Sequence, residues 1–151
     1  MNIDLNLLPK DQLMTDSLWK LVIDFNRDEK WGDPLKMQLH LIYWLDALRK
    51  YVGSPLIIHC GYEKEGHVSK SQHRWGNAVD LHSDTIHYKT LLCAALLFPF
   101  AGIGIYPYWN NPGLHLDMRK LVDGEPKKIW YRDKDNLYHN IRYDKMLVNY
   151  D

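Results

Sequence analysis

Cysteine is scarce in this sequence. Cys60 and Cys93 are the only two, and they form no CxxC pair. Two thiols cannot build a disulfide scaffold, so both read as small buried apolar residues. An excess of one charge is also missing. Lys plus Arg and Asp plus Glu number 19 each, a formal net charge of +0 with His neutral. That balance argues against a partner held by bulk electrostatics, so no nucleic acid is expected as a ligand. A local basic patch at Lys127 and Lys128 stays compatible with it. The longest apolar run, around Leu91 to Phe98, is far too short for a membrane span. The opening Met1-Asn2-Ile3-Asp4 lacks the basic and apolar regions of a signal peptide, which predicts a protein that is cytoplasmic as synthesised. No repeat or low-complexity tract is present.

Trp and Tyr are abundant instead, at six and ten against three Phe. Their apolar bodies and polar tips suit cleft walls as well as cores. With 151 residues, 46% of them hydrophobic, the chain fits one domain over 1–151. Its core is expected over about 34–132, with a helix at 16–26 and a tail at 133–151 as extensions.

The apolar spacing of Leu18, Trp19, Leu21, Val22 and Phe25 predicts the helix at 16–26. A second helix is predicted over 34–51, with Pro34 in its first turn and Leu39, Ile42, Leu45 and Leu48 on one face. Strands are predicted at 56–60, 78–82, 102–106, 114–118 and 128–132, and a helix at 88–98. The tail reads as a partly ordered extension or a short helix. This order predicts an α+β fold, with a small antiparallel sheet and N-terminal helices.

The chemistry concentrates in two stretches. Ser71-Gln72-His73-Arg74-Trp75-Gly76-Asn77-Ala78-Val79-Asp80 places a His and a carboxylate on either side of a glycine turn. Asp80 sits among apolar residues, where a carboxylate is costly unless paired or metal-bound. Gly113-Leu114-His115-Leu116-Asp117-Met118-Arg119 alternates with period two, so His115 and Asp117 share one strand face. Two His and one carboxylate with an open fourth position are what a water-activating zinc needs, which makes hydrolysis the first hypothesis. Each motif alone is also what a surface pair gives. His82, two residues after Asp80, is a substitute ligand or a supporting partner. His40, His59, His67, His87 and His139 have weaker contexts.

The two motifs together resemble peptidoglycan peptidases of the zinc D-Ala-D-Ala carboxypeptidase type, in the lysostaphin, D-Ala-D-Ala peptidase and hedgehog superfamily. Ser71, His73, Gly76, Ala78 and Asp80 match the Ser-x-His-x-x-Gly-x-Ala-x-Asp signature. Gly61-Tyr62 upstream, Gly102-Ile103-Gly104-Ile105-Tyr106-Pro107 and His115-Leu116-Asp117 downstream, and Trp130 fit the flanks, so the resemblance covers about 39–131. It implies a hedgehog/D-Ala-D-Ala-peptidase-like fold and one Zn²⁺ per chain on His73, Asp80 and His115. It also implies peptidoglycan or its peptide fragments as substrate.

Two departures stand out. The position of the catalytic acid in some relatives, three before the last His, holds Pro112 here. Asp117 is then the candidate base, or else it orients a ligand, with Glu63 and Glu65 next in line. The arginine that commonly follows Gly-Tyr is Glu63, which favours an endopeptidase over a carboxypeptidase. Ser71, Arg74, Trp75, Tyr106 and Arg119 are the candidate substrate contacts, with Trp109 as a further cleft residue. The competing expectation is a catalytically inactive zinc-containing binding module. Lack of a signal peptide suits a phage enzyme, or one released to the wall by another route.

Overall fold

A computed structural model describes residues 9, 11–65 and 70–142. His67 and the tail from 143 onward lie outside the described residues. Helix α1, Asp16–Trp19, is capped by the Thr15 hydroxyl, which accepts from the Leu18 N–H at 3.2 Å. The helix expected over 16–26 ends after this turn. Leu21 and Val22 N–H still donate back to Leu18 O and Trp19 O at 2.9 and 3.3 Å, and the N–H groups of Ile23 and Asp24 then donate to the Asp46 carboxylate at 3.4 and 2.7 Å. Trp19 and Phe25 instead turn inward onto Trp31, with ring centroids 5.3 and 5.5 Å away.

The helix expected over 34–51 is divided. A 3-10 turn, Pro34–Lys36, is followed by extended Met37 and Gln38, and then by α2, Leu39–Val52. The break arises because these two residues bond sideways. Met37 O accepts from Met14 N–H, and Gln38 N–H donates to Gly76 O, both at 2.9 Å. That second bond ties the start of α2 to the His73 turn.

Six strands follow: β1 Ile57–Cys60, β2 Ala78–His82, β3 Gly102–Tyr106, β4 Gly113–Asp117, β5 Lys128–Arg132 and β6 Tyr138–Ile141. Helix α3, Tyr88–Leu96, lies between β2 and β3. The sheet order is β1-β2-β4-β3-β5-β6. The α+β class holds, but the sheet is mixed. Every pair is antiparallel except β3 with β5. Gly102 at the start of β3 pairs with both Asp117 and Lys128, so connection 118–127 passes that end of β3 and sets β5 parallel to it. β6 forms within the expected tail, as a hairpin with β5.

Alternation gives the sheet two faces. One carries Ile58, Val79, Leu81, Ile103, Ile105, Leu114, Leu116 and Ile129, which form one cluster with Leu41, Ile42, Leu45 and Leu48 of α2 and Leu91 and Ala95 of α3. Burying each such aliphatic side chain contributes roughly 1.5–3 kcal/mol. The other face carries Asp80, His82, His115 and Asp117. The cysteines depart from expectation: Cys93 is exposed on α3, and Cys60 is half-buried among polar atoms.

Candidate metal centre

A single turn aims His73 inward. The Ser71 hydroxyl accepts from His73 N–H at 3.3 Å and starts a 3-10 turn over Gln72–Trp75. Gly76 ends it at φ 62°, where an added Cβ would sit 1.8 Å from Lys36 O. Left-handed backbone and this close approach both demand glycine. Asn77 O then accepts from Met118 N–H at 3.1 Å, fastening the turn to the end of β4. In the β2–β4 register Asp80 lies directly opposite His115. Two motifs 35 residues apart thus become one cross-strand pair.

Three candidate ligand atoms converge there. His115 Nδ1 lies 2.8 Å from Asp80 Oδ1 and 3.2 Å from His73 Nε2, and His73 Nε2 lies 3.3 Å from Asp80 Oδ1. Tetrahedral ligands about 2.0–2.1 Å from a zinc sit about 3.3 Å from one another, so the spacing fits. The far side of each ring is also fixed. His73 Nδ1–H donates to Gly61 O at 2.7 Å, and His115 Nε2–H donates to Asp117 Oδ2 at 2.9 Å. With those tautomers each inner nitrogen carries a lone pair, as a metal ligand must. The electrostatics favour a cation. Burial alone would raise Asp80, but the His115 and His73 rings set against it hold it well below the usual carboxylate range. Burial would lower His115, yet Asp117 and Asp80 carry it up to about 9.

Cys60 also approaches: one ligand atom each from Cys60, His73 and Asp80 lie within 4.8 Å of one another. Burial pushes its thiol up to about 12, and its Sγ lies 3.7 Å from Gly61 O and 3.6 Å from Glu63 Oε2. A protonated thiol facing acceptors is a weaker third ligand than His115. Its place in the apolar run Leu56 to Cys60 gave no sign of this neighbourhood.

The family model described as "Peptidoglycan L,D-endopeptidase MepK" matches residues 9–122. The chain belongs to this MepK family. Curated proteins offer no match. The match reaches thirty residues nearer the N-terminus than the resemblance read from the motifs, and so takes in Trp19, Phe25 and Trp31. This MepK-family chain has no helix, among the described residues, long and apolar enough to cross a membrane.

Asp117 is wholly buried and fully engaged. Oδ1 accepts from Arg119 N and Nε at 3.0 and 2.9 Å, and Oδ2 accepts from Arg119 Nη2 at 2.6 Å besides His115. Burial would raise its carboxyl, but His115 and Arg119 bring it down to about 2. The Gly-x-Gly of β3 makes this possible. A Cβ on Gly102 would stand 2.3 Å from Asp117 Oδ2, and one on Gly104 would stand 2.7 Å from the Trp130 indole. That indole lies 5.3 Å from the His115 ring and carries the Arg119 guanidinium 5.0 Å from its own centroid.

A cleft of about 340 Å³ opens beside Asp80, lined by His59, Asp80, Trp109, Asn110 and Asn111. A larger hollow of about 910 Å³ contains none of the three convergent ligands; Trp44, Trp75 and Arg119 are among its walls. The candidate substrate contacts therefore separate. Trp75 is 64% exposed and lines the larger hollow. Tyr106 is buried, stacks on Trp109 at 4.1 Å and accepts from Trp130 Nε1–H at 3.2 Å. Ser71 caps the turn, Arg74 is half-buried beside His73, and Arg119 holds Asp117. Glu63 is half-buried next to Cys60, and its N–H donates to His73 O at 3.1 Å.

His82 does not join the three candidate ligands. Its Nδ1 lies 2.6 Å from His59 Nε2 and its Nε2 lies 2.9 Å from Asp84 Oδ1. His59 is the extra residue of a bulge in β1, between Ile58 paired with Leu81 and Cys60 paired with Asp80. Sequence reading gave His59 no role. The available signal was a polar residue inside the apolar run Leu56 to Cys60.

Proposed function

We propose that this chain is a single-domain, zinc-dependent peptidoglycan endopeptidase, with His73 Nε2, Asp80 Oδ1 and His115 Nδ1 holding one Zn²⁺. The observation that carries the reading is the convergence of those three atoms with both imidazole tautomers already set. Zinc in such a site lowers the pKa of water towards ~7 and polarises a carbonyl. The protein's part is positional. Gly61 O orients His73, and Asp117, itself held by Arg119, orients His115. This carboxylate–histidine arrangement makes Asp117 a positioning residue, in place of the base expected from its strand face.

The bond proposed is an amide between an L- and a D-centre in a stem peptide or cross-link, in keeping with the family's description. Glu63 supports a cut within a chain. A carboxylate repels a terminal carboxylate, whereas the cation usual at this place would hold one. Trp109, Asn110 and Asn111 offer apolar and amide contacts to the peptide.

Elemental analysis of purified protein should find about one equivalent of zinc, and His73→Ala should lose it. Less than half an equivalent in the wild type, or unchanged content in the variant, would remove the basis for the reading. Zymography on purified peptidoglycan separates the enzyme from an inactive binding module, which would keep zinc and clear nothing.

A further inference from the structure

Amide hydrolysis needs a group that moves a proton from the attacking water to the leaving nitrogen. The obvious carboxylates are engaged or displaced. Position 112 is Pro, Asp117 is buried under Arg119 and His115, and Glu65 is exposed. One titratable side chain other than a proposed ligand lines the cleft beside Asp80, and it is His59. Bulges re-aim side chains next to active sites, and His59 occupies the bulge of β1.

The partners of His59 fix which of its nitrogens is bare. An ionised Asp84 only accepts, so the contact at 2.9 Å puts the proton on His82 Nε2. Neutral His82 then presents Nδ1 as an acceptor. The contact at 2.6 Å therefore puts the His59 proton on Nε2, and a neutral His59 keeps an unprotonated Nδ1. The two rings lie nearly parallel, 23° apart, with centroids 4.5 Å from one another. Asp84 is 68% exposed at the outer end of this chain of contacts. The Trp109 ring stands 6.2 Å from His59 and bounds the cleft on that side.

We infer that His59 is the proton-transferring residue of the hydrolysis, held in its base tautomer by His82 and Asp84. The inference rests on the endopeptidase reading above. As the water oxygen bonds to the amide carbon, His59 Nδ1 takes one water proton. As the C–N bond breaks, the same proton passes to the nitrogen, giving a carboxylic acid and an amine. His59 ends neutral, as it began. His82 and Asp84 touch neither substrate nor reacting atoms and act as positioning residues.

The test compares wild type, His59→Gln, His59→Ala, Asp84→Asn and Glu63→Gln, each loaded with zinc, on cross-linked muropeptides. His59→Gln should keep its zinc and its KM, and lose about 10²-fold or more in kcat. Imidazole added to His59→Ala should restore part of the turnover, which a purely structural role would not allow. Asp84→Asn should lower kcat about 10-fold at unchanged KM, because His82 is no longer held in one tautomer. Near-normal kcat in His59→Gln overturns the inference, as does a 10²-fold loss confined to Glu63→Gln. Zinc-loaded wild type that cleaves nothing overturns the endopeptidase reading itself, a result distinct from either.

Discussion

Replacing Asp117 by Asn separates an orienting carboxylate from a catalytic base. The structure gives each oxygen a full set of donors. Oδ1 receives Arg119 N–H and Nε–H at 3.0 and 2.9 Å, while Oδ2 receives Arg119 Nη2–H at 2.6 Å and His115 Nε2–H at 2.9 Å. An amide has one oxygen and one nitrogen, so one set must face a donor. With nitrogen towards Arg119, the guanidinium loses its grip and the side chain swings. With nitrogen towards His115, the imidazole proton is driven to Nδ1, the atom proposed to hold zinc. Hydrogen bonds to charged groups contribute about 1.5–3 kcal/mol each, and Arg119 is partly solvated, so a stability loss of about 2–3 kcal/mol is expected. Loss of such a supporting partner typically costs 10–100-fold in metal affinity. Competition against a chromophoric chelator should show zinc Kd for Asp117→Asn raised by about that factor. Unchanged Kd with turnover down about 10²-fold would refute the positioning role and return Asp117 to the part of a base.

Other perturbations test neighbouring parts of the account. Gly102→Ala puts a Cβ 2.3 Å from Asp117 Oδ2, so it should lower both Tm and zinc affinity; a variant with wild-type values would show that β3 can give way. Asp46→Ala removes the acceptor of Ile23 and Asp24 N–H and should lower the urea unfolding free energy by about 1–2 kcal/mol, leaving zinc content alone. An unchanged urea midpoint would mean that the turn after α1 is held by its aromatic cluster. Glu63→Arg should raise release of terminal D-alanine from a stem pentapeptide relative to cross-link cleavage. An unaltered ratio would detach Glu63 from specificity.

Much of the site was legible because it is local. The Ser71-to-Asp80 signature encodes a cap, a left-handed glycine and a strand, and each works within ten residues. The alternation around His115 placed Asp117 on the same face before any pairing was known. What could not be read depends on distant partners. The helix begun at Asp16 closes in bonds to Leu18 O and Trp19 O and does not resume, because a carboxylate 22 residues away takes the Asp24 N–H. The second helix breaks at Met37 because Met14 and Gly76 bond there. Pairing of β3 with β5 is set by where 118–127 crosses, not by the period of either strand. His59 was overlooked because alternation is only a guide in regular strands, and its position is a bulge.

The central claim is that a zinc held by His73, Asp80 and His115 enables this chain to cut peptidoglycan peptides internally. Mass spectrometry of muropeptides after digestion tests it most directly, with untreated enzyme, chelator-treated enzyme and treated enzyme resupplied with zinc. The account predicts cross-linked species converted to shorter peptides by a cut between L- and D-centres, loss of that conversion on chelation, and its return with zinc. Conversion that persists in full after the metal is stripped, or release of terminal D-alanine with cross-links intact, would contradict it.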